Sequence, residues 1–576
     1  MPARIRRRAV SDSPALGDLH PVLARVFAAR GIREPDELSL NLAGVLPPAG
    51  FKGLDEAAAL LADAVMAGER ILFVGDFDAD GATSIAVGMD RLLAMGAGHV
   101  DYLVPNRFEF GYGLTPEIVE LARQREPALI VTVDNGISSI EGVARARELG
   151  IRTLVTDHHL PGATLPDADV IVNPNQPGCE FPSKALAGVG VIFYTLSALR
   201  QELRRRDWFA SRGVEMPSMA DVLDLVALGT VADVVPLDRN NRILVQQGLL
   251  RIRGGKTRPG IRALLEIAGR PAQRLVPGDL SFAVAPRLNA AGRLDDMAIG
   301  IECLLAGDDT RARGIAATLD GLNRDRQQIE RGMQDDALRS LDVSLAALGD
   351  ELPASVCLYE PGWHQGVVGI LASRIKERLH RPTIAFADGD NGLLKGSARS
   401  IPGLHIRDAL DLVATRNPGL IDKFGGHAMA AGLSLPVDRL DEFRRALHTV
   451  VAEQLDDVEL DAVVESDGEL TGSDLDLSLA MELRYAAPWG QHFPEPVFDG
   501  DFLIVHQRLV GEKHLKLVVS PDADPQHTLD AIAFNIDLDR WPDESVERVK
   551  LAYRLDCNYY RGEERLQLMV ESIDAI

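Results

Sequence analysis

Ile71-Leu-Phe-Val-Gly-Asp-Phe-Asp-Ala-Asp-Gly-Ala-Thr-Ser84 joins a run of four apolar residues directly to three alternating acids. An apolar run before a glycine predicts a buried parallel strand, and the residues from Thr83 onward predict the helix that follows it. Asp76, Asp78 and Asp80 then lie at the carboxyl end of the strand, which is the edge where open α/β sheets bind ligands. Carboxylates crowded there repel one another unless they share a cation, so the stretch predicts a site for a hard divalent metal ion.

Length and composition indicate a multidomain protein of ordinary make-up. The chain has 576 residues, 46% of them hydrophobic and 25% charged, and we expect three or four domains. No apolar run approaches the roughly 20 residues that cross a membrane, so we expect a cytoplasmic protein. The net charge of -24 argues against coating nucleic acid by bulk attraction, although it permits an enzyme with a local basic channel. The four cysteines form no C-x-x-C pair, so nothing indicates a zinc knuckle or a disulfide framework.

Two later predicted strands also end in acids. The predicted strand Leu129–Val133 ends in Asp134. The next strand along the chain ends in three consecutive candidates, Asp157, His158 and His159. Because a helix separates each strand from the next, all three strand ends are expected at one edge of one parallel sheet. Carboxylates with imidazoles make an oxygen and nitrogen ligand set suited to Mn²⁺ or Mg²⁺, and the histidines favour manganese.

A further candidate ligand follows an apolar helix. Asp233 comes directly after Asp221-Val-Leu-Asp-Leu-Val-Ala-Leu-Gly-Thr-Val-Ala, a segment that is apolar on nearly every side. An unpaired charge there would be costly, and a metal ion would supply its partner.

The motifs, in order, resemble those of the DHH phosphoesterase superfamily. They read Asp-Phe-Asp-Ala-Asp-Gly, Val-Asp-Asn-Gly, Asp-His-His and Gly-Thr-Val-Ala-Asp-Val-Val-Pro-Leu. Four later stretches resemble the RecJ family, the bacterial single-strand-specific 5′ to 3′ exonucleases of that superfamily: Pro286–Arg293, Trp363–Ile370, Lys395–Ser400 and Phe424–Gly432. The likeness runs through nearly the whole chain.

Pattern and resemblance together imply an α/β fold with a C-terminal all-β barrel. The expected order is an N-terminal helical lead-in (1–50), a parallel-sheet DHH metal-binding domain (51–305), a long connecting helix (306–345), a smaller α/β DHH-associated domain (346–456) and an OB-like nucleic-acid-binding barrel (457–576). In the family the DHH-associated domain faces the metal site across a cleft. An acidic stretch from Asp456 to Asp476 is expected to be a linker before the barrel.

The resemblance implies a catalytic centre with two divalent ions, Mn²⁺ or Mg²⁺. Its expected residues are Asp76, Asp78, Asp80, Asp134, Asp157, His158, His159 and Asp233. The expected direct ligands are Asp78, Asp80, Asp134, His158 and Asp233. The sequence leaves open whether the other three bind metal or orient the ligands. Two ions would share a water, lower its pKa and stabilise charge on the attacked phosphate.

The same resemblance implies a binding site for the 5′ end of a single strand. Its expected residues are Arg107, Arg287, Asn289, Arg293, His364, Ser397, Arg399 and His427, with the choice between Arg287 and Arg293 left open. Ser397 and Arg399 lie two residues apart, so on an extended segment they point to the same face. A hydroxyl and arginines suit a terminal phosphate, which carries an extra charge. The alternative is that Arg399 only pairs with a surface acid.

The implied function is exonucleolytic hydrolysis of single-stranded DNA to 5′ mononucleotides, in DNA recombination and repair. Expected partners are single-stranded DNA, a single-strand-binding protein and a RecQ-type helicase, with the protein itself a monomer. Asp78-Ala-Asp-Gly-Ala-Thr83 also resembles the signature of haloacid-dehalogenase-like phosphatases, but the later Asp-His-His speaks against that class. Two alternatives remain: a DHH enzyme for pyrophosphate, cyclic dinucleotides or very short RNA, whose chains lack a terminal barrel, and a non-catalytic single-strand-binding scaffold, whose chains lose metal ligands.

Overall fold

The computed structural model of the chain describes residues 4–10, 16–105, 113–348, 353–389, 392–455, 462–538, 540–560 and 562–576. These residues form two compact units. One comprises Arg4 with Gly321–Val463, and the other comprises Ile5–Asp320 with Val464–Ile576. None of the helices in the described ranges combines the length and the apolar character needed to span a membrane.

The strands are numbered along the chain: β1 (Arg4–Arg7), β2 (Arg70–Gly75), β3 (His99–Leu103), β4 (Leu129–Val133), β5 (Arg152–Thr156), β6 (Val170–Val172), β7 (Val356–Tyr359), β8 (Thr383–Asp388), β9 (Leu393–Arg399), β10 (Lys423–Gly426), β11 (Ala430–Pro436), β12 (Val463–Ser466), β13 (Phe498–Val510), β14 (His514–Pro521), β15 (Leu529–Ala533), β16 (Arg548–Tyr560) and β17 (Glu563–Ala575).

The helices are α1 (Pro21–Ala29), α2 (Leu54–Ala67), α3 (Ala79–Ala94), α4 (Pro116–Arg123), α5 (Ile140–Glu148), α6 (Gly188–Arg205), α7 (Trp208–Arg212), α8 (Leu223–Ala232), α9 (Arg239–Arg253), α10 (Pro259–Ile267), α11 (Pro277–Asp279), α12 (Ala285–Leu294), α13 (Ala298–Leu304), α14 (Asp309–Leu348), α15 (Val368–Leu379), α16 (Ile406–Arg416), α17 (Leu440–Gln454) and α18 (Leu477–Tyr485). A π-helical turn over Leu280–Val284 joins α11 to α12.

The predicted parallel sheet is confirmed. Its strand order is β3-β2-β4-β5-β6, and every neighbouring pair runs parallel. Strands β2 and β4 are almost wholly buried, as their apolar runs require when helices cover both faces of a sheet. From β2 the chain goes first to β3 on one side and then to β4 on the other. This reversal is the topological switch point where open α/β sheets bind ligands.

The second unit of the chain, Gly321–Val463, contains a smaller mixed sheet of order β10-β11-β9-β8-β7. Helices α16 and α17 pack on one face, through residues that include Phe386 and Phe443. The other face packs on α15 through β7 and β8. This is the small α/β domain that the sequence predicts. The charged segment predicted as a long helix is α14.

The C-terminal strands close into a barrel of order β13-β14-β15-β17-β16. Strands β16 and β17 each have 13 residues, so they are longer than the strands that the apolar runs predict there, Val549–Leu555 and Leu566–Val570, whereas β13 agrees with the predicted Val497–Val510 to within one residue. The additional residues carry many polar side chains, which alternate with apolar ones along strands that face solvent on one side.

Two expectations about the segments that flank these domains are wrong. The N-terminal lead-in is not only helical, because β1 precedes α1. The acidic stretch expected as a linker contains β12, which pairs with β1. Arginines in β1 face acids of the acidic stretch, for example Arg6 and Glu465 at 3.0 Å. Each segment alone resembles a solvated charged run, and only their pairing makes them structured.

Candidate metal centre

The loop after β2 carries the first three acids into the start of α3. Asp78 is the N-cap of α3, and its Oδ1 accepts hydrogen bonds from the backbone N–H groups of Asp80 at 2.9 Å and Gly81 at 3.0 Å. Asp76 accepts one from the N–H of Phe77 at 2.7 Å. An N-cap acid satisfies helix donors that have no partner within the helix, so local capping fixes how this acidic loop runs.

Asp80 is held by a second helix. Its two carboxylate oxygens accept hydrogen bonds from the N–H groups of Gly188, at 2.6 Å, and Val189, at 3.0 Å, in the first turn of α6. The side chain is buried. Burial, together with the charge of Asp78, raises the pKa of Asp80 to about 7. The fold therefore positions this carboxylate by backbone donors while leaving its ionised form in need of a cation.

Asp134, His158 and Asp233 meet at the same edge of the sheet. The Nε2 atom of His158 lies 3.1 Å from Oδ1 of Asp134 and 3.5 Å from Oδ2 of Asp233. Burial and the charges of Asp80 and Asp78 raise the pKa of both Asp134 and Asp233 well above the ordinary value. Asp134 also has a left-handed backbone with φ of 62°, which is uncommon outside glycine and asparagine.

Asp157 orients the imidazole of His159. Its Oδ1 accepts hydrogen bonds from the N–H groups of His158 and His159 and lies 2.8 Å from Nδ1 of His159, while its Oδ2 accepts one from Ile137 N–H at 2.9 Å. Burial would raise the pKa of Asp157, but the hydrogen bond and charge of His159 outweigh it and lower that pKa. Burial lowers the pKa of His159, yet the same pair raises it to about 9. Both oxygens of Asp157 are thus engaged within the protein.

The described residues offer three overlapping groups of possible ligand atoms, each within 4.8 Å of one another. They are Asp134 with His158 and His159, Asp80 with His158 and Asp233, and Asp76 with Asp78 and Asp134. Asp134 and His158 each belong to two groups. Mixed carboxylate and imidazole donors fit Mn²⁺ or Mg²⁺, so the residues present suit the divalent ions that the sequence predicts. The cluster brings all eight predicted catalytic residues into one region.

Helix α12 supports the acidic loop through contacts that the sequence did not reveal. The side-chain oxygen of Asn289 accepts a hydrogen bond from Ala79 N–H at 2.7 Å. A Cβ atom on Gly292 would lie 1.9 Å from the carbonyl oxygen of Phe77, so the helix touches the loop backbone. Asn289 is 210 positions from Ala79 in the sequence, and no local sequence pattern predicts a contact over that separation.

Arg287, one of the two arginines expected to contact the 5′ phosphate, pairs with an acid of the protein. Its Nε and Nη2 atoms lie 2.9 Å from Oδ1 of Asp320, and both side chains are largely buried. Arg293, the other candidate, lies half-buried near the end of the same helix. Asn289, expected to bind substrate, accepts a hydrogen bond from the acidic loop, and its contact with substrate stays a prediction. Arg107 lies outside the described residues.

Ser397 and Arg399 lie side by side on β9. One Nη1 atom of Arg399 donates to Ser397 Oγ at 3.0 Å and to the carbonyl of Ala398 at 2.8 Å. Burial lowers the pKa of Arg399, and within the described ranges it forms no ion pair with an acid. Among the described residues, the structure therefore contradicts the alternative in which Arg399 only pairs with a surface acid.

The first turn of α15 approaches this pair. A Cβ atom on Gly369 would lie 2.9 Å from both Arg399 Nη2 and Ser397 Oγ. His364 comes just before the helix, and its Nδ1 accepts a hydrogen bond from Gly366 N–H at 3.1 Å. A guanidinium beside the positive end of a helix concentrates positive charge, which suits an anion.

His427 occupies the turn between β10 and β11. Its backbone N–H donates to Ala430 O at 2.8 Å, and Ala430 pairs with Arg399 in the neighbouring strand. The side chain of His427 is exposed. The turn therefore ends at the edge of the sheet where Arg399 lies.

Comparison with known proteins identifies three domains in the same order as the structure. Residues 70–230 match the DHH family, N-terminal domain; residues 352–453 match the DHHA1 domain; residues 466–572 match the RecJ OB domain. The second sheet described above and the closed barrel are the cores of the last two matches.

The chain is similar over its full length to proteins named single-stranded-DNA-specific exonuclease RecJ. It is 56% identical over 570 residues to that of Dickeya dadantii (strain 3937) and 54% identical over 571 residues to that of Escherichia coli (strain K12), with 99% of each chain covered in both cases. It also resembles the crystal structure of RecJ in complex with Mn²⁺ from Thermus thermophilus, with 31% identity and a TM-score of 0.81 over 100% of this chain and 80% of that one. Because the three domain matches occur in order and more than half of the residues are identical over 99% of the chain, the chain belongs to the RecJ family.

Proposed function

We propose that the protein is a metal-dependent exonuclease that hydrolyses single-stranded DNA from its 5′ end to 5′ mononucleotides, in DNA repair and recombination. The observation that carries the proposal is the cluster of carboxylates and imidazoles at the switch point of the parallel sheet, in which Asp134 and His158 belong to more than one possible ligand group. The names of the similar proteins support the same substrate and reaction.

The chemistry follows from the donor set. Two divalent ions, Mn²⁺ or Mg²⁺, would activate a water and stabilise charge on the attacked phosphate, so the protein needs no nucleophile of its own. Asp78, Asp80, Asp134, His158 and Asp233 would hold these ions. Asp157 fixes the orientation of the His159 imidazole, and the N-termini of α3 and α6 fix two of the acids.

The polarity of degradation rests on Ser397 and Arg399. A terminal 5′ phosphate carries more charge than an internal phosphodiester, and a guanidinium with a hydroxyl and a helix N-terminus prefers the more charged group. Arg399 has no acidic partner among the described residues, so a phosphate would be its first counter-ion. His364 precedes the helix whose first turn approaches this pair, and His427 lies in the turn before the strand that pairs with β9, so both belong to the proposed lining of the pocket.

The principal experiment follows a long single strand that is labelled separately at each end, with Mn²⁺, Mg²⁺ or a chelator in parallel reactions. Early release of mononucleotides from the 5′ label alone, and none with the chelator, is the expected result. Early release from the 3′ label would contradict the polarity, and cleavage in the chelator would contradict the metal centre.

A second experiment tests the phosphate pocket with 5′-phosphorylated and 5′-hydroxyl strands. Wild type should prefer the phosphorylated strand, and Arg399→Ala and Ser397→Ala should lose most of that preference while binding Mn²⁺ as before. Arg416→Ala is the matched control, because Arg416 already pairs with Glu453 at 2.7 Å in the same unit. An unchanged preference in Arg399→Ala would place the pocket elsewhere.

We also propose that the protein acts as a monomer in the cytoplasm beside a single-strand-binding protein and a RecQ-type helicase. Family resemblance supports these partners. Sedimentation of the purified protein tests the monomer, and stimulation of degradation on duplex DNA by added helicase tests the partnership.

A further inference from the structure

Phe282 is the most exposed large apolar side chain in the part of the chain that the structure describes. It is 85% exposed, whereas the other exposed large apolar side chains there reach at most 59%. Single exposed apolar residues are common on proteins and need no function. The significance of Phe282 therefore depends on where it lies and on how the backbone presents it.

The backbone at Phe282 is a π-helical turn, Leu280–Val284. Such turns are rare and occur frequently at functional sites, because they place one extra residue in the helix and push a side chain outward. The turn is anchored on one side, where Ser281 Oγ donates a hydrogen bond to Val231 O at 2.9 Å. Val231 belongs to α8, the helix that ends immediately before Asp233.

The helix that continues from this turn reaches the acidic loop at its other end. Asn289 accepts a hydrogen bond from Ala79 N–H, next to Asp78 and Asp80. Phe282 itself follows Ser281, whose hydroxyl bonds to the carbonyl of Val231 two residues before Asp233, so the turn that presents Phe282 lies next to the helix end that carries this carboxylate.

A second exposed apolar residue flanks the same carboxylate. Val234, directly after Asp233, is 59% exposed and has a left-handed backbone with φ of 59°. A β-branched residue adopts that conformation rarely, and such strained positions cluster at active sites and ligand clamps. Two apolar side chains are therefore presented to solvent on either side of the contact between Ser281 and Val231.

We propose that Phe282 stacks against a base of the DNA strand next to the scissile phosphate, so that it positions the strand on the metal centre. The inference rests on the proposed function, because the ligand is the single-stranded substrate itself. Base stacking on an aromatic ring is tolerant of sequence, since every base has a π-face, and it suits an enzyme that must accept all four nucleotides. The carboxylates cannot grip the strand, because they repel its phosphates in the absence of metal ions.

The test uses short 5′-phosphorylated single strands in which one nucleotide near the 5′ end is replaced by an abasic residue. For wild type, one abasic position should lower kcat/KM by about tenfold, because it removes the base that stacks on the ring. Phe282→Ala should lower kcat/KM about tenfold on the intact strand and should be insensitive to that abasic position. Phe282→Tyr should behave like wild type. Phe282→Leu, which keeps an apolar side chain but has no ring, should behave like Phe282→Ala.

Controls separate this inference from the proposed function. Mn²⁺ affinity and the melting temperature should be unchanged in the Phe282 variants, since an exposed ring contributes little to packing. Leu250→Ala removes an exposed apolar side chain of α9 and should leave every rate unchanged. The stacking role is overturned if the kcat/KM of Phe282→Ala equals that of wild type on the intact strand. It is also overturned if the kcat/KM of Phe282→Ala is lower than that of wild type by the same factor on the intact strand and on every abasic strand. Wild type that leaves single-stranded DNA intact would instead overturn the proposed function.

Discussion

At the scale of single residues, the metal centre is a set of acids placed where their charge is unfavourable. Asp80 and Asp134 are buried beside other carboxylates, and both have a raised pKa. The N–H groups of Gly188 and Val189 fix Asp80 but do not neutralise it. A site that is preformed in this way binds cations readily, because ion binding relieves repulsion that folding has already established.

Metal removal should make stability depend on pH through Asp80. Its pKa is about 7 in the folded protein and 3.8 ordinarily, so the folded state binds the proton more tightly. That contribution to stability is complete below about pH 4 and is lost as the pH rises through about 7. Between pH 5 and pH 8, the melting temperature of the metal-free wild type should therefore fall by more than the melting temperature of metal-free Asp80→Asn.

Calorimetry of both proteins at several pH values, with and without Mn²⁺, measures this difference. Added Mn²⁺ should abolish it near neutral pH, since the ion replaces the proton as the partner of the carboxylate. If the melting temperatures of the metal-free wild type and Asp80→Asn changed with pH by the same amount across this range, the raised pKa would be contradicted.

Asp157 should behave as an orienting residue and Asp134 as a ligand. Asp157→Asn keeps a side chain of the same shape but removes the charge that pairs with His159, so Mn²⁺ affinity or activity should fall roughly 10- to 100-fold. Asp134→Ala should abolish hydrolysis while single strands still bind. Titration calorimetry and single-turnover cleavage measure both. Equal losses in the two variants would make Asp157 a direct ligand.

The positions of several site residues were predictable because a strand end fixes them. Asp134 and Asp157 follow apolar runs, and parallel strands bring such ends together. The support from Asn289 and the pair between Arg287 and Asp320 were not predictable. Each depends on a long-range contact between segments whose local patterns would suit a surface helix equally well.

At the scale of elements, the site depends on how closely α12 approaches the acidic loop. Gly292 lies against the backbone of Phe77, where a Cβ atom would be 1.9 Å from the carbonyl oxygen. Backbone cannot give way as a flexible side chain can. The helix therefore fixes the position of the loop that carries Asp76, Asp78 and Asp80.

Gly292→Ala should displace the loop and lower both Mn²⁺ affinity and kcat by roughly tenfold or more, with a loss of about 1–3 kcal/mol in stability. Gly314→Ala is the matched control, because a Cβ atom on this glycine of α14 meets nothing within 4 Å. That control should stabilise the protein slightly, since alanine favours helix by up to about 1 kcal/mol over glycine. Titration with Mn²⁺ measures the metal affinity of both variants, and thermal unfolding measures their stability. Gly292→Ala with normal metal affinity would show that the loop can move freely.

At the scale of the whole molecule, the N-terminal segment is attached to the segment that leads into the barrel. Arg30, at the end of α1, forms a two-point ion pair with Asp467 at 2.8 and 3.0 Å. Its guanidinium also donates to Pro494 O and lies 5.2 Å from the ring centre of Trp489. The sequence could not indicate this, because a basic start and an acidic stretch more than four hundred residues later each resemble solvated surface.

This ion pair should contribute to stability in a way that a double-mutant cycle reveals. Both side chains are almost fully buried, with 1% and 0% of the Arg30 and Asp467 side chains exposed. Removing Arg30 leaves the buried carboxylate of Asp467 with only Arg8 Nε, at 3.7 Å, and removing Asp467 leaves the buried guanidinium of Arg30 without its acid, so Arg30→Met and Asp467→Leu should each lower the free energy of unfolding by about 3–5 kcal/mol. The double variant Arg30→Met/Asp467→Leu should lose clearly less than the sum, because neither buried charge of the pair then remains.

Arg313→Ala is the control. It breaks an exposed pair with Glu266 at 3.2 Å and should change the free energy of unfolding by less than about 1 kcal/mol. Chemical denaturation followed by tryptophan fluorescence reports on the pair directly, since Trp489 lies against Arg30. Additive losses in the double variant would mean that the two residues stabilise the protein independently, and the N-terminal segment would then not be held to the barrel segment by this pair.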